Sequence, residues 1–141
     1  MMFTHFHTSV SCSPTRSMLL SGTDWILHTY QENQQNEKFN MLTELIYSMD
    51  VDFIAFQECA QHKSSTVTEG IIHEDNMALI ISENLSEKYG VEYNFEWGWV
   101  HYGWDVWEEG VAVLSKHALI DSESRYISSN TSSITPMLPT D

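Results

Sequence analysis

Basic residues are scarce. Six Lys and Arg stand against twenty Asp and Glu, a formal net charge of −14. A surface of that sign repels nucleic-acid phosphates unless metal ions or a separate basic segment offset it. The bland role of the acidity is solubility, and a second is that some carboxylates hold a divalent cation. Cysteine is nearly missing too. Cys12 and Cys59 are the only two, too few for a disulfide framework, and their unlike contexts predict free thiols. No run reaches the ~18 consecutive apolar residues of a membrane span. The N-terminus has no basic stretch before an apolar one, and His5, His7 and Ser9 interrupt it. It therefore does not read as a signal peptide, and a cytoplasmic location is favoured.

What is present suffices for a single core. The chain has 141 residues, 42% of them apolar, ordinary values for one globular domain. Residues 1–24 read as polar and irregular, punctuated by Pro14 and Gly22. After the polar run 31–37, Phe39, Leu42, Leu45, Ile46 and Met49 fall at helical spacing and predict a helix ending near Asp50. Residues 51–56 are apolar and short enough for a buried strand. A helix followed at once by a buried strand predicts an α/β fold.

Residues 60–70 read as a loop. Met77, Ile80, Ile81, Leu85 and Tyr89 mark a second helix from about Glu74 to Tyr89, with Gly90 at its stop and Asn76 as a capping residue at its start. Residues 92–97 alternate polar and aromatic, as in a strand with one wet face. Between residues 97 and 107 lie four of the five tryptophans, and with Gly103 they suggest a loop. Residues 111–114 and about 119–127 read as further strands, and residues 129–141 as a flexible tail.

Two motifs carry chemistry. One is Val51-Asp52-Phe53-Ile54-Ala55-Phe56-Gln57-Glu58, answered downstream by Glu109-Gly110-Val111-Ala112-Val113-Leu114-Ser115-Lys116. Its Glu58 is expected at the C-terminal end of a buried strand, where α/β proteins place their sites, and a carboxylate there suits Mg²⁺ or Ca²⁺. The other is Cys12-Ser13-Pro14-Thr15-Arg16 followed by Leu20-Ser21-Gly22. Between them, His101, Asp105 and Glu109 are spaced by four; on a helix they would share a face, and in a loop they would sit beside aromatic rings able to pack against a sugar or base. His62, His73 and His117 carry no partner signal.

From about Trp25 to Ser128 the first set of motifs resembles the endonuclease/exonuclease/phosphatase superfamily. The resembling pieces are Leu27-His28-Thr29-Tyr30-Gln31-Glu32, the strand closing in Gln57-Glu58, the segment from His101 to Glu109, and the Gly110 strand ending in Ser115 and Lys116. The resemblance implies part of a four-layer α/β sandwich, two packed sheets flanked by helices. It implies a divalent-metal phosphoesterase in which Glu58 binds Mg²⁺ or another divalent cation. A small, sugar-like phosphorylated substrate is favoured over nucleic acid, with His101, Asp105 and Glu109 as substrate contacts.

Two departures stand out. The family's opening strand carries a metal-site Asn where this sequence has Ile26. Its later Asn, Asp and Asp-His motifs have no match after Ser128. The expectation is therefore an incomplete sandwich and an incomplete active site, with one sheet face left for self-association. The Cys12 motif resembles type I sulfatases over about residues 3–24. There the matching Cys becomes the nucleophile and the matching Arg, here Arg16, holds the site. That reading leaves two alternatives to the phosphoesterase, a catalytically inactive truncated or chimeric fragment and a sulfatase fragment. It also predicts a junction near Asp24–Trp25.

Overall fold

The computed structural model describes residues 4–10, 20–28, 30 and 33–126. They form an α/β arrangement of eight strands and two helices. The elements are β1 (Thr4–Val10), β2 (Gly22–Ile26), α1 (Gln35–Met49), β3 (Phe53–His62), β4 (Val67–Glu69), β5 (Ile72–His73), α2 (Met77–Tyr89), β6 (Asn94–Gly103), β7 (Trp107–Ser115) and β8 (Leu119–Tyr126).

The main sheet runs β2-β3-β7-β6. β2 and β3 are parallel, and both pairs involving β7 are antiparallel. The parallel step from β2 to β3 needs a crossover, and α1 supplies it. Register places Trp25, Phe56, Ala112 and Trp97 side by side, with Thr23, Ile54, Leu114 and Phe95 in the next row. These rows face the helices, so Ile54, Phe56 and Leu114 join Ile46 of α1 and Met77, Ile81 and Leu85 of α2 in one buried cluster. The opposite face carries Phe53, Ala55, Val111 and Val113, all half-buried, with exposed Asp24 and Glu96 beside them.

Both helices stand where their periodicity puts them, and their ends differ. Asn76 caps α2 by accepting from the backbone N–H groups of Ala78 and Leu79, and Gly90 closes it at φ 64°. α1 closes without glycine. Asp50 takes the left-handed conformation at φ 50°, and Lys116 Nζ meets its Oδ1 at 2.5 Å.

Three sequence expectations are corrected. Residues 1–24 are not irregular throughout. β1 pairs antiparallel with β8, and β2 runs unbroken through Asp24 and Trp25; both strands are defined by remote partners that local composition does not display. Residues 60–70 are not simply a loop, because β3 continues to His62 and residues 67–73 form a small hairpin. Gln61 disguised the strand, being polar yet fully buried. Nor is the tryptophan-rich stretch a loop. β6 runs to Gly103, a turn occupies residues 104–106, and β7 begins at Trp107; aromatic residues suit a pleated, half-buried surface. The Cys12–Arg16 motif and the tail 129–141 lie outside the described residues.

Candidate active site

Glu58 does not end its strand. It sits inside β3 at a β-bulge, where the register with β7 steps from Phe56↔Ala112 to Cys59↔Gly110. Gln57 and Glu58 together oppose the single residue Val111, and the surplus residue takes φ 52°. A bulge re-aims a side chain out of the ordinary alternation. Here Gln57 and Glu58 are both exposed, while Phe56, Cys59, Ala60 and Gln61 on either side are buried.

The bulge is held from behind. Trp97 Nε1 donates to the Cys59 carbonyl at 2.9 Å, and the Ala60 N–H finds the Met77 thioether at 3.3 Å. The Cys59 thiol is fully buried, and that burial pushes its pKa up to about 12. It is a packed apolar group, not a nucleophile.

On the β2 side, Ile26 pairs with Gln57 and Leu27 N donates to the Gln57 carbonyl at 2.9 Å. Ile26 is 53% exposed. Its aliphatic chain lines a groove of about 380 Å³ between β2 and α1, with Trp25, Leu27, Lys38, Phe39 and Leu42. Where the family resemblance implies an amide beside the metal, this chain presents hydrocarbon.

His101, Asp105 and Glu109 lie on no helix. They belong to the β6–β7 hairpin, in which His101 and Glu109 are cross-strand partners with Nε2 and Oε2 3.7 Å apart. Gly103 makes room for that carboxylate, because a Cβ there would fall on it. Asp105 is in the turn at φ 58° and exposed, and it joins neither residue in a described hydrogen bond or ion pair. The spacing of four therefore yields one pair rather than a triad. Beside the pair, Trp99 and Tyr102 meet edge to face at 5.2 Å, and Lys63 Nζ lies 4.5 Å over the Tyr102 ring.

Beneath the hairpin is a polar network that single-sequence spacing does not reveal. Gln61 Nε2 donates to Glu108 Oε2 at 2.7 Å and to the Ile71 carbonyl at 2.8 Å. Its Oε1 accepts from His73 N and from Asn76 Nδ2. His73 Nδ1 meets the His62 carbonyl at 2.9 Å, and its Nε2 lies 3.9 Å from Glu108. His62 N donates to Asp75 Oδ2, and the Tyr30 hydroxyl donates to the Asp75 carbonyl. Burial, then the Asp75 charge, hold the Tyr30 hydroxyl well above its usual range. Tyr30 stacks on Trp107 at 4.8 Å, and His62 meets the same indole edge-on. These contacts tie the residues after β2 and β3 to the base of the hairpin.

His117 is placed at the opposite end of the sheet, 3.4 Å from Asp52 Oδ1. That approach satisfies an ion-pair distance without hydrogen-bond alignment, for Nε2 is buried with no hydrogen-bond partner. Asp52 Oδ2 accepts from the Ser21 backbone N–H and hydroxyl at 2.9 and 3.0 Å. At the bulge, the described residues offer a metal one exposed carboxylate, Glu58. Among the described residues no three His, Cys, Asp or Glu side chains converge as a ligand set. Mg²⁺ binds through one or two carboxylates while keeping most of its water, so Glu58 fits as one ligand of a water-rich cation.

No family model and no curated protein matches the chain. Among solved structures, an endonuclease/exonuclease/phosphatase family protein from Leptotrichia buccalis C-1013-b matches with a TM-score of 0.67 at 29% identity, over 70% of this chain and 38% of that one. The chain therefore spans well under half the length of that relative. Its α/β fold is similar to part of an endonuclease/exonuclease/phosphatase protein.

Proposed function

We propose that the chain carries the Glu58 part of a divalent-metal-dependent phosphoesterase site. The observation that carries this reading is Glu58 itself, an exposed carboxylate at φ 52° in a bulge flanked by buried Phe56 and Cys59. A backbone held in that region is found where a site needs a side chain aimed out of register. Glu58 would hold the cation, with water completing its shell. When bound, the cation supplies charge neutralisation at phosphate. Glu58's own part is to anchor it at the β3 bulge.

The substrate side of the reading rests on the hairpin. His101 paired with Glu109 offers a donor and an acceptor beside exposed Tyr102 and Trp104, a surface that suits a sugar ring. With a chain charge of −14, this favours a small phosphorylated compound over nucleic acid.

A second reading is a metal-binding remnant without turnover. Ile26 supplies no donor, and no group of three ligands converges among the described residues. Hydrolysis of an aryl phosphate with Mg²⁺ separates the two. The enzyme reading requires activity that Glu58→Ala abolishes and a chelator removes. Cation binding lost in Glu58→Ala, with no hydrolysis by the parent, leaves the remnant. The sulfatase reading of Cys12 and Arg16 predicts a formylglycine mass at position 12, and an unmodified cysteine there ends it.

A further inference from the structure

We infer that Trp97 is a positioning residue for Glu58, fastening the β3 bulge in the backbone conformation that presents that carboxylate; this rests on the reading of Glu58 as a metal ligand. A non-glycine residue at φ 52° holds that conformation only where its surroundings over-determine it. The two-against-one mismatch between β3 and β7 creates the bulge, but a mismatch alone can slide along a ladder. Something must pin it at Glu58.

The bulge is tied from outside its own ladder by the 2.9 Å bond from Trp97 Nε1 to the carbonyl of Cys59, the residue immediately after Glu58. It comes from an unusual direction. Trp97 belongs to β6, and β7 lies between β6 and β3. The indole must therefore cross β7, and it crosses at Gly110, the register partner of Cys59. A Cβ on Gly110 would stand 2.6 Å from Trp97 Nε1 and Cε2, so glycine is required there for space.

One residue from each of three adjacent strands thus meets at a single point. Trp97 is 6% exposed and Cys59 is fully buried, so water cannot replace the lost donor without opening the core. Two further ties leave the Cys59 carbonyl untouched: Ala60 N meets the Met77 sulfur, a weak acceptor, at 3.3 Å, and Leu27 N donates to the Gln57 carbonyl at 2.9 Å on the β2 side.

The test is Mn²⁺ binding by the full chain, read as the loss of the free-ion paramagnetic resonance signal, with folding checked by near-ultraviolet circular dichroism without metal. The variants are Glu58→Ala, Trp97→Phe and the double variant. Trp97→Phe is expected to weaken Mn²⁺ binding about 10-fold, the lower range for groups that orient a ligand without touching metal. The double variant is expected to bind no more weakly than Glu58→Ala alone, because Trp97 acts only through Glu58. Should Trp97→Phe fail to fold, 3-benzothienylalanine at position 97 keeps the ring shape and removes only the N–H, with the same weakening expected. Trp97→Phe, or its benzothienyl counterpart, binding within about 2-fold of the parent while Glu58→Ala loses binding overturns the positioning role and leaves the metal reading intact. Glu58→Ala binding like the parent overturns the metal reading and the inference with it.

Discussion

Gln61 Nε2 donates to Glu108 Oε2 at 2.7 Å beneath the β6–β7 hairpin, from a side chain with no solvent exposure. Gln61 satisfies four partners at once, the others being the Ile71 carbonyl, His73 N and Asn76 Nδ2. Replacing it with Leu preserves much of the volume and strands several of them. Each buried polar group left unpaired costs ~1–3 kcal/mol, so Gln61→Leu is expected to lower unfolding free energy by about 3 kcal/mol in denaturant titration. Gln61→Glu should be at least as damaging at neutral pH, since it sets a second carboxylate against Glu108. A loss within measurement error for both variants would mean that the network is not maintained in solution.

This network also marks the limit of what the sequence discloses. Helices α1 and α2 were legible because Phe39 to Met49 and Met77 to Tyr89 repeat at helical spacing, and Asn76 and Gly90 are caps by residue type alone. The departure at Ile26 could be read by eye against a family pattern. The bulge could not. Glu58 looks like the end of an apolar run because Gln57, Glu58, Gln61 and His62 are polar, and only their remote partners show that the strand continues. His101, Asp105 and Glu109 recur at a spacing of four, but His101 and Glu109 pair across a hairpin and Asp105 falls in the turn. The signal was there without the element that explains it.

Backbone strain at Glu58 predicts a trade between stability and binding. A non-glycine residue in the left-handed region costs ~1 kcal/mol or more relative to glycine, which has no Cβ penalty there. Glu58→Gly and Glu58→Ala both remove the carboxylate, but only the first relieves the strain. The glycine variant is expected to be more stable than the alanine variant by about 1 kcal/mol in metal-free thermal or denaturant unfolding. Equal stabilities would mean that position 58 does not hold φ 52° in solution.

Asp52 supplies a pH dependence whose sign follows from its contacts. The Ser21 backbone N–H, the largest influence, holds its carboxyl below its ordinary value of 3.8; burial opposes it, and the Ser21 hydroxyl and the Lys116 charge add smaller lowering effects. A depressed folded-state pKa means that the unfolded chain takes up the proton first as pH falls. The stabilisation is therefore fully present above 3.8 and is lost as pH drops through the lower folded value. Asp52→Ala should reduce the thermal midpoint at neutral pH, and the gap to the parent should narrow progressively on the acid side of that range. A gap that stays constant down to the acid-unfolding limit would assign the effect to lost packing rather than to the charge.

Cys59 gives the most direct check on the packing behind the bulge. Its thiol has no exposed surface and a pKa pushed up to about 12, so neither access nor thiolate is available in the folded chain at neutral pH. Alkylation must wait for an opening that also breaks the Trp97 bond to its carbonyl. Peptide mapping after iodoacetamide treatment should find Cys59 unlabelled in the native protein and fully labelled in guanidinium chloride, with Cys12 scored separately on its own peptide. Trp97→Phe should speed labelling of Cys59, and metal binding at Glu58 should slow it in the parent but not in Glu58→Ala. Rapid native labelling of Cys59 would place the thiol at the surface, and the bulge could not then be held as the Trp97 contact holds it.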